Sequence, residues 1–234
     1  MDENKIDAAD YLQRFSAKVL WHFTGYNKSS KDSFARLVSI AKEGLLKISD
    51  RSFPIKMPNG EKRIGFPSSC VCDIPFKDLR LHILRYGGFG IAFNKEKAIL
   101  TGHFNPVLYI NKNHIFFKHA EKILPELERL ESSCGNSKQV LQEYLKMMGT
   151  YVKRCDLTSI IHLDPKIDEE QNNNFYYERE WRSAYDWNFI RGDVVTVMMP
   201  QDYIGLFQEE LKGSKGEGVF KNLSIISTEM VEIL

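Results

Sequence analysis

The stretch that decides the architecture is Cys70–Ile110, CVCDIPFKDLRLHILRYGGFGIAFNKEKAILTGHFNPVLYI. Its first five residues, Cys70–Ile74, form a short apolar run stopped by Pro75, which reads as a strand. Phe76–Tyr86 carries Leu79, Ile83 and Tyr86 at helical spacing, and Gly87-Gly88 breaks that helix. Phe89–Phe93 and Pro106–Ile110 read as two further strands joined by a charged helical turn. The three glycines at 87, 88 and 90 precede a strand instead of opening a helix, so they make no dinucleotide-binding fingerprint.

Working outward, Leu20–Thr24 (LWHFT) is a strand that ends at Gly25, preceded by an amphipathic helix over residues 1–20. Phe34–Leu46 is a helix with Phe34, Leu37, Val38, Ala41 and Leu45 on one face, capped by Asp32 or Ser33 and closed by Gly44. Ser49–Ser69 reads as irregular, with Pro54, Pro58, Pro67 and the Asn59-Gly60 turn. The spacing predicts helix over His114–Thr150, a strand at Ser159–Leu163, an aromatic-rich segment at Phe175–Trp187 and a strand at Val194–Met199. A helix at Gln201–Leu211, a Gly/Lys-rich loop at 212–218 and a strand at Leu223–Ile226 follow. Strands and helices mix without a regular βαβ rhythm, which predicts one α+β domain spanning 1–234. Within it the N-terminal helix covers 1–20, a small twisted β core covers 20–112 and 157–234, and a helical insertion covers 113–156.

Composition narrows the function classes. The 234 residues (27.1 kDa) are 43% hydrophobic, too apolar for disorder. A chain of this mass buries roughly 72% of its unfolded surface. Lys and Arg number 32 against 31 Asp and Glu, so the broad basic footprint of a general nucleic-acid binder is missing. The start, MDENKIDAAD, lacks the basic and apolar pattern of a signal peptide, and no apolar run approaches the ~18 residues needed to span a bilayer. Four cysteines, Cys70, Cys72, Cys134 and Cys155, do not form a secreted disulfide framework. These features predict a cytoplasmic protein with no membrane partner.

Four groups could carry chemistry. In LWHFT, period-two alternation points His22 and Thr24 together, away from Trp21 and Phe23, where they could bond a sugar hydroxyl or a carbonyl; a satisfied sheet-edge histidine is the plainer reading. In YEREWR, the same alternation gathers Glu178, Glu180 and Arg182 on one face, and the flanking aromatics imply a strand packed on its other side. Two carboxylates there would stabilise developing positive charge, whereas a solvated face would carry only a surface ion pair. Cys70 and Cys72 with His82 have metal-ligand chemistry, but a single C-x-C pattern reads more simply as buried apolar thiols, so no metal is expected. His82 and Tyr86, four apart on one helix, could stack a planar ligand or simply cap the core.

Taken together these segments resemble the AbiGi family of bacterial abortive-infection proteins, which act in phage resistance. The strand Cys-x-Cys-Asp-Ile-Pro, the helix with His82 and Tyr86-Gly87, the Gly-Ile-x-Phe strand and Asn-Pro-Val-x-Tyr carry the likeness. WHFTG and YEREWR extend it over most of residues 20–185. The family resemblance implies the antitoxin half of a two-gene system, with a toxin or phage-derived trigger as partner. A more distant resemblance, to ADP-ribosyltransferases of the His-Tyr-Glu type, rests on the order His22, Tyr86, Glu180. It implies NAD as substrate, with His22 holding the ribose, Tyr86 stacking on nicotinamide and Glu180 stabilising the oxocarbenium. Glu178 would orient the acceptor, Thr24 and His82 would complete the cofactor pocket, and Ser68 or Ser69 would support the second strand. Three readings follow: an NAD-consuming transferase, a non-catalytic antitoxin module, and nucleic-acid modification guided by Lys56, Lys62, Arg63, Lys77 and Arg80.

Overall fold

The computed structural model describes residues 17–26, 28–49, 52–57, 60–65, 67–111, 113–115, 119, 149–155 and 175–233, with 52–65 described by backbone alone. Residues 1–16 of the helix expected over 1–20, most of the insertion at 113–156, the strand at Ser159–Leu163 and Cys134 lie outside them; Val19 and Leu20, at the end of that expected helix, are strand instead.

The fold is mixed α+β. A seven-stranded sheet runs in the order β13-β12-β6-β1-β5-β10-β7. Its strands are β1 (Val19–Phe23), β5 (Ser69–Cys72), β6 (Gly90–Asn94), β7 (Asn105–Pro106), β10 (Glu180–Ser183), β12 (Val194–Met199) and β13 (Ser224–Ser227). Neighbours are antiparallel except β12 and β13, which run parallel. β6 is buried from Gly90 to Phe93, as its central place requires.

Alternation along the strands sorts side chains onto two covered faces. One face carries Leu20, Val71, Ile91, Phe93, Val197 and Met199. It packs against α1 (Ser30–Glu43), α4 (Ile204–Leu211) and α5 (Lys215–Phe220). The other face carries Trp21, Ala92 and Met198 and is covered by α2 (Leu79–Tyr86) and α6 (Thr228–Ile233) through Leu79, Ile83 and Val231.

The cap of helix α1 lies three to four residues before the expected positions Asp32 and Ser33. Ser29 is the cap, because its Oγ accepts from the Asp32 backbone N–H at 3.1 Å. Gly44 closes the helix as expected, at φ 60°, with its N–H on the Ile40 and Ala41 carbonyls. The segment read as irregular contains a hairpin, β3 (Ser52–Met57) against β4 (Gly60–Gly65), joined at Met57↔Gly60. Pro54 misled the reading, and it sits on a two-stranded edge where a missing N–H is tolerated. The expected strand Pro106–Ile110 splits into β7 and β8 (Leu108–Asn111); β8 pairs in parallel with β9 (Val152–Cys155). The loop expected at 212–218 opens α5, and a terminal helix, α6, follows the last strand. Strands β2 (Leu45–Leu46) and β11 (Trp187–Asn188) make a small separate ribbon, and α3 (Lys95–Leu100) follows β6.

Candidate functional site

The site grows from one row of the sheet. Trp21 pairs with Cys72, and Cys72 pairs with Glu180. Paired residues of antiparallel strands share a face. Glu180 therefore stands on the α2 side, and Arg182, two residues on, joins it. Period two correctly related Glu180 to Arg182. Glu178 is not in the strand: Tyr176–Glu178 is a 3-10 turn, and Arg179 follows it in the left-handed region at φ 44°. That reversal still leaves the Glu178 carboxylate beside that of Glu180.

Lys153 binds both carboxylates, bonding Glu178 Oε2 and reaching Glu180 Oε2 at 2.9 Å. Arg182 reaches Glu180 Oε2 at 2.9 Å and donates to the Thr150 carbonyl at 3.0 Å. The Tyr86 hydroxyl donates to Glu178 Oε1. The Tyr109 hydroxyl accepts from the Glu180 backbone N–H at 2.7 Å. The ring of Phe175 lies 4.4 Å from Lys153 Nζ. Glu178, Glu180 and Arg182 are all buried. The parallel pair β8–β9 makes this possible, because Tyr109 stands in register with Lys153 and delivers both to the edge of β10.

Electrostatics follow from the packing. Burial opposes the charge on Lys153, but Glu178 and Glu180 outweigh it and hold the ammonium's pKa above its usual value. Arg182 behaves alike, with Glu180 as the dominant opposing charge. Burial, then Glu178, pushes the Tyr86 phenol well up, so it stays a donor at neutral pH. Tyr109 is pushed up by burial and by both carboxylates. The cluster is a closed set of charge-assisted hydrogen bonds.

His22 lies elsewhere. It follows Leu20 at period two, so it points to the α1 side, opposite Glu180. Its Nδ1 bonds the Cys70 carbonyl at 2.8 Å. Thr24 is buried, and its hydroxyl donates to the Ser33 carbonyl at 2.9 Å. The structure thus brings Tyr86, Glu178 and Glu180 together and separates His22 and Thr24 from them. Helical spacing does place His82 next to Tyr86, ring centroids 5.8 Å apart, with Phe23 and Tyr177 against the imidazole. Tyr86 is itself flanked by Phe23 and Tyr26 at 6.1 and 5.6 Å. Both nitrogens of His82 and the Tyr177 hydroxyl are buried without a hydrogen-bond partner.

Cys70, Cys72 and Cys155 form no disulfide. Cys72 donates to the Trp21 carbonyl at 3.2 Å, and burial pushes its pKa well up, which makes it an inert thiol. Ser68 and Ser69 are buried, with Ser68 Oγ 3.9 Å from Cys70 Sγ. No group of three or more His, Cys, Asp or Glu with metal-ligating placement occurs among the described residues, and no described helix is long and apolar enough to cross a membrane. Lys153 and Tyr109 are the site residues that sequence reasoning missed. Their partners lie 25 to 71 positions away in sequence, and no short motif connects them.

The comparisons with known proteins come to one family. A family model described as "Putative abortive phage resistance protein AbiGi, antitoxin" matches residues 60–202, more than half of the chain. That span holds Tyr86, Tyr109, Lys153, Glu178, Glu180 and Arg182, and it begins after His22 and Thr24. No curated protein and no solved structure matches the chain. With the matched span covering the buried cluster, the chain belongs to the AbiGi family of abortive phage resistance proteins.

Proposed function

We propose that this chain is the antitoxin of an abortive-infection pair, a non-catalytic module that neutralises a toxin encoded by an adjacent gene. The observation that carries this reading is the closure of the Glu178–Glu180 cluster. Both carboxylates are buried and already matched by Lys153, Arg182 and Tyr86. A carboxylate that must stabilise a developing oxocarbenium needs an approach for substrate, and here a lysine ammonium occupies that approach. His22, which would hold the ribose, faces the other side of the sheet. The network serves to fix α2 and the β8–β9 pair onto the sheet, which suits a rigid binding module.

The test is co-expression with the adjacent-gene product. A stable complex, and restored growth when both are present, is the expected result. Growth arrest by this chain alone would refute the reading.

The contact of Tyr86 with Glu178 favours a second reading, an ADP-ribosyltransferase that uses NAD as substrate, with Glu180 and Glu178 catalytic and Tyr86 and His82 lining the nicotinamide. On that reading the purified protein consumes NAD in the presence of infected-cell extract, and Glu180→Gln abolishes turnover while the fold is kept. The antitoxin reading expects no NAD loss with either protein.

A further inference from the structure

The parallel pair β8–β9 stands apart from the seven-stranded sheet. It shares no ladder with that sheet and forms a separate two-stranded one. Two parallel strands are a weak unit alone, because parallel sheets ordinarily rely on cover over both faces. Here Leu108, on the face opposite Tyr109, is 60% exposed. No described residue of 108–111 or 152–155 belongs to either hydrophobic cluster of the core.

The pair is held mainly by polar groups on its other face. Lys153 spans Glu178 and Glu180, the Glu180 backbone N–H donates to the Tyr109 hydroxyl, and Arg182 holds the Thr150 carbonyl just before β9. Phe175 lies over the ammonium, and Tyr176 meets Tyr109 edge-on at 5.5 Å. Val107, between β7 and β8, donates its backbone N–H to the Glu180 carbonyl at 2.9 Å, while β7 stays paired with β10. Val107 is thus a fixed point about which β8 can swing.

Charge makes such an attachment reversible. Taking Lys153, Glu178, Glu180 and Arg182 out of water costs much of what their mutual attraction returns. Opening rehydrates all four, so it costs less than parting an apolar interface of the same size. The ion pairs fix one register for the closed state without welding it shut. Elements that open locally are drawn from this low-stability end of a fold.

We propose that β8–β9 is a hinged lid, pivoting at Val107 and latched by the Lys153 ammonium over Glu178 and Glu180. The closed state is the ground state. Opening withdraws the ammonium from the two carboxylates and parts Tyr109 from the Glu180 N–H. It turns the closed cluster into a solvated acidic face beside Tyr86. The device goes beyond both functional readings and depends on neither.

Cys155 reports the opening. Two residues on from Lys153, it shares that face of β9 and is 1% exposed. Pulsed alkylation of the full-length chain with iodoacetamide, located by peptide mass spectrometry, measures its exposure. Tryptophan fluorescence in urea measures global unfolding. In wild type, Cys155 is expected to label about tenfold or more faster than global unfolding allows. Lys153→Ala should speed labelling by about a further tenfold. Propylammonium replaces the carbons and the ammonium that this substitution removes. It should slow labelling again in the variant but not in wild type, and sodium chloride at equal concentration should not. Lys42→Ala, which breaks an exposed ion pair with Glu210 over the other sheet face, should label like wild type. Tyr109→Phe keeps every charge and loses one hydrogen bond, so it gives a milder acceleration that decides the matter if Lys153→Ala does not fold.

Labelling of wild-type Cys155 only at the rate of global unfolding would overturn the lid. Wild-type labelling in Lys153→Ala, an equal acceleration in Lys42→Ala, or protection by propylammonium no greater than by sodium chloride would overturn the latch. None of these results touches binding of the adjacent-gene product, which tests the antitoxin reading separately.

Discussion

His82 offers the sharpest quantitative test of the packing. Its ring is 2% exposed, neither nitrogen has a hydrogen-bond partner, and three aromatic rings surround it. Burial, opposed by the Glu178 backbone and helped to a smaller extent by the Arg179 guanidinium, lowers its pKa from 6.5 to about 4. A group whose folded pKa is depressed binds protons more readily when unfolded, so stability is lost as pH falls from about 6.5 towards 4. With those two values the linked loss is about 0.2 kcal/mol at pH 7, about 2 kcal/mol at pH 5 and about 3 kcal/mol at pH 4. Urea unfolding of wild type and His82→Leu at pH 7, 6, 5 and 4 measures it, because taking the difference between the two proteins removes the carboxylates common to both. The Leu variant should be at least as stable at pH 7, since it removes two unsatisfied buried nitrogens. Its advantage should grow by about 2 kcal/mol between pH 7 and 5. Parallel pH profiles for the two proteins would refute the reasoning and mean that the imidazole is solvated or bonded.

Removing Lys153 tests the cluster. Lys153→Met leaves two buried carboxylates short of a cation and should cost about 3–5 kcal/mol at pH 7, read by denaturant melts. Adding Glu178→Gln should recover part of that loss, and strict additivity would refute the coupling. Two glycines separate packing from propensity. A Cβ on Gly216 would lie 2.0 Å from the Ala41 carbonyl oxygen, so Gly216→Ala should push α5 off α1 and lower Tm. A Cβ on Gly205 of α4 meets nothing within 4 Å, so Gly205→Ala should gain about 0.5–1 kcal/mol. Both are read by differential scanning calorimetry.

Several elements were legible because their signals are local. Gly44 after a run of helical spacing, Pro75 after Cys70–Ile74, and Gly87-Gly88 after Tyr86 mark boundaries through backbone conformations that neighbours cannot change. The same holds for the pairing of His82 with Tyr86 and of Glu180 with Arg182, each set by the repeat of its own element. The hairpin at Ser52–Gly65 was missed because proline density outweighed its turn, and α5 because Gly216 and Gly218 depress helix propensity. Tertiary contact overrides propensity there: the missing Cβ of Gly216 is what lets the helix touch α1.

The sequence by itself determined the α+β class, the family likeness carried by Cys70–Ile110, and which residues share a helix or strand face. Only the tertiary structure decided which faces meet. Alternation states that His22 opposes Trp21, but only the pairing Trp21–Cys72–Glu180 shows that His22 therefore opposes Glu180 across the sheet. Lys153 reaches the carboxylates, and Tyr109 the Glu180 backbone N–H, through a parallel strand pair whose members are more than forty positions apart. Register between distant strands depends on the packing of both faces at once, and no local period records it. The charges that alternate within YEREWR thus read as a surface or a cleft in one dimension and fold into a buried, neutralised core in three.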